Sequence, residues 1–150
     1  IERTTTSPVS SSDNDASATT LKEIQPISIV ASRDDGNIAN NVFDNDLSTR
    51  WSSSGKGENL TIDLGAKFNV TKLHTAWFSG DKRQSHFRVE VSNDATNWVT
   101  IANASSSGTS LSLENININK SGRYLRIICL GNSANNWNSM TEMKVFGVAE

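Results

Sequence analysis

Asp44 and Asp46 lie in the stretch Asn41-Val42-Phe43-Asp44-Asn45-Asp46-Leu47-Ser48-Thr49-Arg50-Trp51, which crowds two carboxylates, a hydroxyl and several turn-forming residues into eleven positions. Hard cations such as calcium take about six to eight oxygens, and tight loops supply them from side chains and backbone carbonyls together. A metal-free turn, with both aspartates bonded to their own backbone, fits the same residues. The stretch is not an EF-hand, because it lacks the glycine at the sixth loop position and the glutamate at the twelfth. A second chemistry is offered by the tryptophans. Trp137 stands in the loop Gly131-Asn132-Ser133-Ala134-Asn135-Asn136-Trp137-Asn138, which has little core to join, and Trp77 opens the charged turn Phe78-Ser79-Gly80-Asp81-Lys82-Arg83-Gln84-Ser85-His86. An indole face beside fixed polar groups suits a pyranose ring, whereas a charged tip also serves simply to keep a turn solvated. Catalytic constellations are not visible. The two histidines, His74 and His86, are remote in sequence from the single cysteine, Cys129, and no nucleophile-elbow, HExxH or phosphate-loop pattern occurs. His74 reads as a packed or hydrogen-bonded strand residue. Cys129, in an apolar run, reads as a small buried hydrophobe.

These groups need a scaffold, and hydrophobic alternation supplies one. Residues 1–22 are dominated by Ser, Thr, Asp and Asn and read as a solvated linker, and residues 23–150 read as one domain. Phe87-Arg88-Val89-Glu90-Val91-Ser92 and Leu60-Thr61-Ile62-Asp63-Leu64 alternate with a period of two, which is the mark of a strand with one buried face. The pattern predicts strands over residues 60–65, 70–78, 87–92, 98–101, 111–116, 124–130 and 142–148, with one helical turn near 37–42. Short strands at this spacing predict an all-β antiparallel sandwich. With a formal net charge of −2 the chain has no basic field for nucleic acid or a membrane surface, and no apolar run approaches the length of a bilayer span. A lone cysteine forms no internal disulfide.

The acidic stretch resembles the Asp-Gly-Asn-x-x-Thr-x-Trp loop of discoidin-like (coagulation factor type C) domains, above all of bacterial family 32 carbohydrate-binding modules. Asp44, Asp46, Thr49 and Trp51 fall at matching positions, with Asn45 in place of the usual glycine. Further matches are the strand ending in Asp63-Leu64-Gly65, the hairpin Val91-Ser92-Asn93-Asp94 with Trp98, the strand Arg123-Tyr124-Leu125-Arg126-Ile127, and the closing strand from Glu142. The resemblance implies a discoidin/galactose-binding-like jelly roll. It implies a structural calcium ion held by the side chains of Asp44, Thr49 and Glu142 and the carbonyls of Asn41, Asp46 and Thr141. It places Trp51 and Trp98 in the core and the sugar site at the edge shared by the charged turn and the Asn-rich loop. The ligand residues it implies there are Trp77, Lys82, Arg83, His86, Asn136, Trp137 and Asn138, with Arg33 and Asp35 on the same edge.

The wording Trp77-Phe78-x-Gly80-Asp81-x-Arg83 with Asn136-Trp137-Asn138-Ser139 resembles modules attached to alginate lyases. The function so implied is non-catalytic, calcium-bearing binding of an acidic uronate polysaccharide, by a secreted, monomeric module covalently linked to a catalytic one. The alternatives are a neutral galactose-type glycan, or protein and membrane adhesion. Adhesive relatives carry apolar loop spikes and a terminal disulfide, and neither is found here.

Overall fold

The computed structural model describes residues 20–150, so the linker expected over 1–22 lies almost wholly outside the described residues. Within them are eight strands, β1 (Lys22–Ile24), β2 (Ser28–Ala31), β3 (Trp51–Ser54), β4 (Asn59–Trp77), β5 (Ser85–Ser92), β6 (Val99–Ser105), β7 (Glu114–Asn132) and β8 (Trp137–Ala149). One 3-10 helix, Ala39–Phe43, stands where a helical turn was expected. All pairings are antiparallel, in the order β1-β8-β4-β7-β5-β6, with β2 added to β4 and β3 to β8. The all-β antiparallel fold matches the expectation.

The expected strands over 60–65 and 70–78 are the two halves of one strand. β4 pairs with β2 through its first half and with β8 through its second, and its register breaks between Asp63 and Phe68. β7 likewise joins the segment expected over 124–130 to the second half of that expected over 111–116, whose first three residues precede the strand. The residues between the halves, Ala66-Lys67 in β4 and Asn119-Lys120-Ser121 in β7, are exposed. They look like loops in sequence, yet they are where both strands bend across from one layer to the other. A bulge lets a strand do this without losing its ladder.

The interior is filled by alternate residues of the two layers. Leu60, Ile62, Leu125, Ile127, Phe87 and Val89 come from one, and Leu73, Met143, Val145, Met140 and Trp51 from the other, all buried. Cys129 is fully buried and burial drives its thiol pKa upward, so it is a packing residue. Trp51 donates from its indole to the Arg33 carbonyl at 2.9 Å. Trp98, expected in the core, is half-buried instead. Its ring lies under the Arg126 guanidinium at 4.1 Å, and Arg126 in turn bonds Glu90 at 2.7 Å.

Candidate functional site

Two polar constellations stand out in the structure. The first is a cavity of about 250 Å3 lined by Asp35, Arg50, Ser52, Phe78, Arg83, Asn135, Trp137 and Ser139. Its walls are made by backbone that has little freedom. After β4 the chain turns through Ser79, at φ 54°, and Gly80, where a Cβ would meet the Ser110 carbonyl oxygen at 2.5 Å. Lys82 and Arg83 both donate backbone N–H to Ser79 O, at 2.9 and 3.1 Å. This tight turn leaves Lys82 exposed and half-buries Arg83 at the cavity wall.

The Asn-rich loop is equally constrained. Asn132 Oδ1 accepts from the N–H groups of Ala134 and Asn135, and Asn135 Oδ1 accepts from Trp137 N at 2.9 Å. Ser133 joins the two loops, accepting from Gln84 N at 3.0 Å and donating to Gln84 O at 2.9 Å. Trp137 is thereby set at the start of β8 with its ring 40% exposed, and Phe78 across the turn is 41% exposed. Two large aromatic side chains are thus left partly open in one polar depression, as a ligand-binding surface requires.

The cations are the distinctive part. The Arg50 guanidinium lies 4.4 Å from the centroid of the Phe78 ring and that of Arg83 lies 5.7 Å from it. Among the described residues neither arginine has a carboxylate ion-pair partner. Arg50 is positioned by Ser52, whose Oγ accepts from Arg50 Nε at 2.9 Å and bonds Ser139 Oγ at 3.0 Å. Arg83 has a buried Nε without a partner. Burial, with Arg50 nearby, pulls its pKa below the ordinary arginine value, although a guanidinium stays charged at neutral pH. Two like charges thus face one cavity, one of them with an unsatisfied buried donor, and such an arrangement could accept an anionic group. Asp35 supplies an acceptor for hydroxyls, and its carboxylate is kept ionised chiefly by the backbone and side-chain donors of Asn37.

Arg83 and Trp137 therefore meet, as does Asp35, while other expected ligand residues lie elsewhere. Trp77 is a correction: it is 2% exposed, stacks on Phe87 at 5.0 Å and donates to Thr75 Oγ1. Asn138 is another: it is 2% exposed and occupied by Gly131 N, Ser53 O and Gly55 O. His86 is bonded to Ser105 at 2.7 Å and does not line the cavity, and neither do the exposed residues Lys82, Asn136 and Arg33. Sequence reasoning missed Arg50 and Phe78. Arg50 was hidden by standing beside Thr49 in the acidic stretch, although an arginine directly after a cation-binding pattern is itself a signal.

The second constellation lies in that stretch. Thr49 Oγ1 donates to the Asp44 carboxylate and sits 3.1 Å from Asp46 O and 3.5 Å from Asn41 O. The Asp46 carboxylate turns away to Ser48, which leaves its carbonyl facing inward. Glu142 reaches in from β8 and is 3% exposed. Its Oε2 accepts from Asn45 N at 3.2 Å, and its Oε1 has no partner. Burial, with the Asp44 carboxylate alongside, raises the Glu142 pKa to about 7. Thr141 Oγ1 is also buried without a partner. Among the described residues no three His, Cys, Asp or Glu side chains converge. A cation here would be held by two carboxylates with hydroxyl and backbone oxygens, a donor set that suits hard calcium and not zinc.

Comparison with known proteins agrees with this architecture. The F5/8 type C domain matches residues 13–143. Among solved structures, the CBM32 of AlyQ in complex with 4,5-unsaturated mannuronic acid superposes with a TM-score of 0.81 at 37% identity, covering 83% of this chain and 98% of that one. Truncated AlyQ with CBM32 and alginate lyase domains gives 0.82 at 36%, covering 88% of this chain and 34% of that one. A family 89 glycoside hydrolase from Clostridium perfringens gives 0.74 at 27%, covering 85% of this chain and 15% of that one. No curated protein matches. The chain belongs to the F5/8 type C, or discoidin-like, domain family. Within it, the chain is a carbohydrate-binding module of the CBM32 type.

Proposed function

We propose that this module is a secreted, non-catalytic monomer that holds a covalently linked catalytic domain on an acidic, uronate-containing polysaccharide such as alginate. The observation that carries the reading is the pair of guanidiniums over Phe78 in one cavity with Trp137. A uronate carboxylate is planar and matches the guanidinium fork, and the apolar face of its ring suits Trp137. The loops are braced before any ligand arrives, so little ordering entropy opposes binding. AlyQ, whose module is similar, carries an alginate lyase domain and binds an unsaturated mannuronic acid. Attachment to the polymer would raise the local concentration of the linked enzyme. The test is calorimetric titration with unsaturated mannuronate oligosaccharides, galactose oligosaccharides and anionic liposomes in parallel. Binding of the uronates alone is expected. Tighter binding of galactose, or of liposomes alone, overturns the reading.

Calcium is part of the proposal. Asp44, Glu142 and Thr49 side chains with the Asn41, Asp46 and Thr141 carbonyls would hold it. The support is the buried, unpartnered Glu142 oxygen beside a second carboxylate. The ion supplies the positive charge that this pair lacks, tying the 44–49 loop to β8 and stabilising the fold by linkage.

A further inference from the structure

The cavity lies at one end of the sandwich, but a second surface has the same chemistry in a different shape. It is the solvent face of the layer formed by β1, β8, the second half of β4 and the first half of β7. The register places Lys144, His74 and Asn115 side by side across three strands. The adjacent row is Glu23, Phe146, Lys72 and Asn117. Their inward neighbours Leu73 and Val145 are in the core, so these residues point to solvent. The His74 ring lies 4.7 Å from that of Phe146, and Lys72 Nζ lies 5.1 Å from the Phe146 centroid. Lys144 Nζ donates to Asn45 Oδ1 at 2.7 Å and to Glu23 at 3.5 Å. Among the described residues Lys72 has no carboxylate partner.

Basic side chains opposite one another on a sheet face destabilise it. Here two lysines flank a histidine, with one carboxylate, Glu23, beside them. The His74 pKa is lowered first by burial and then by Lys72 and Lys144, while Asn115 and Glu23 act the other way. The contacts with Phe146, Glu23 and Asn45 hold these side chains in place, and an anionic ligand across the face would offset the positive charge of the two lysines. Four strands about 4.8 Å apart make a face about 14 Å wide. That is an open platform for an extended chain, unlike the cavity between the loops.

We propose that this face, with Phe146 at its centre and Lys72, His74 and Lys144 around it, is a second binding surface for the interior of an anionic polysaccharide. The sugar ring would lie on Phe146, with its carboxylates on the lysines. The proposal rests on the reading above only for the class of ligand and uses none of the cavity residues.

The test uses the whole chain in affinity electrophoresis through long-chain alginate, with an unsaturated mannuronate trisaccharide titrated separately. Lys72→Glu is expected to weaken retention by the polymer at least about fivefold and to leave trisaccharide affinity unchanged, while Arg83→Ala does the reverse to the trisaccharide. Phe146→Leu, which keeps an apolar residue, should also weaken retention. Polymer added to the Arg83→Ala variant should raise the His74 pKa measured by NMR. Unchanged retention in both Lys72→Glu and Phe146→Leu overturns the proposal. So does equal retention in dextran sulfate with no dependence on Phe146, since that is a response to charge alone. Retention of the wild type by the polymer with no binding of the trisaccharide by the wild type would instead count against the cavity reading and leave this surface standing.

Discussion

The acidic stretch before β3 and the Asn-rich loop before β8 have similar composition and opposite physics. In the Asn-rich loop the amides of Asn132, Asn135 and Asn138 are taken up by backbone groups within the loop and by β3 and the turn after it. In the acidic stretch oxygens converge, and Glu142 is left buried with one oxygen unpaired beside the Asp44 carboxylate. The first loop is complete as built and exists to present Trp137. The second leaves a buried carboxylate oxygen without a partner, which the proposed cation would satisfy. What separates them is whether the buried polar atoms are satisfied, which residue type alone does not reveal.

The sharpest way to break this contrast is at its two buried members. Asn138→Ala removes three hydrogen bonds and strands Gly131 N, so we expect a loss of about 3 kcal/mol in urea unfolding, with weaker sugar binding because Trp137 loses its support. Calcium at about 100 times its dissociation constant should raise the melting temperature by on the order of 5–10 °C. EDTA should reverse that shift. Glu142→Gln should abolish the calcium response, yet be more stable than wild type in EDTA, because it removes a buried carboxylate from beside Asp44. If Glu142→Gln is the less stable protein in EDTA, the acidic stretch is a self-sufficient turn.

Asn136→Ala, at an exposed position in the same loop as Asn138, should change stability by less than about 0.5 kcal/mol. The smallest effect lies outside both loops, at His74. Its folded pKa is depressed, so the unfolded chain binds the proton more readily. Stability is therefore full above the unfolded value near 6.5 and declines as pH falls below it. His74→Gln should flatten that slope in pH-dependent unfolding.

Period-two alternation made the strands legible because each buries one face. It did not show that β4 and β7 run through both layers, since the exposed bends look like loops in sequence. Arg83 and Trp137 were legible as a cation in a tight turn and an indole without a core. Trp77 was misread because it borders that turn, yet strand alternation carries its ring inward onto Phe87. Arg50 was not legible because its role depends on β3 and β8 meeting through Ser52 and Ser139, residues 87 positions apart. His86 and Lys82 share Arg83's segment but not its direction, and direction is decided by the Ser79 and Gly80 turn.

In the proposed function two arginines and two aromatic rings in one cavity receive a uronate. The most direct measurement is calorimetric titration of an unsaturated mannuronate oligosaccharide into wild type, Arg83→Ala and Lys82→Ala. We expect a 10- to 100-fold loss, or about 1.5–3 kcal/mol, for Arg83→Ala and little change for Lys82→Ala. Equal binding by wild type and Arg83→Ala, or a loss confined to Lys82→Ala, would contradict it.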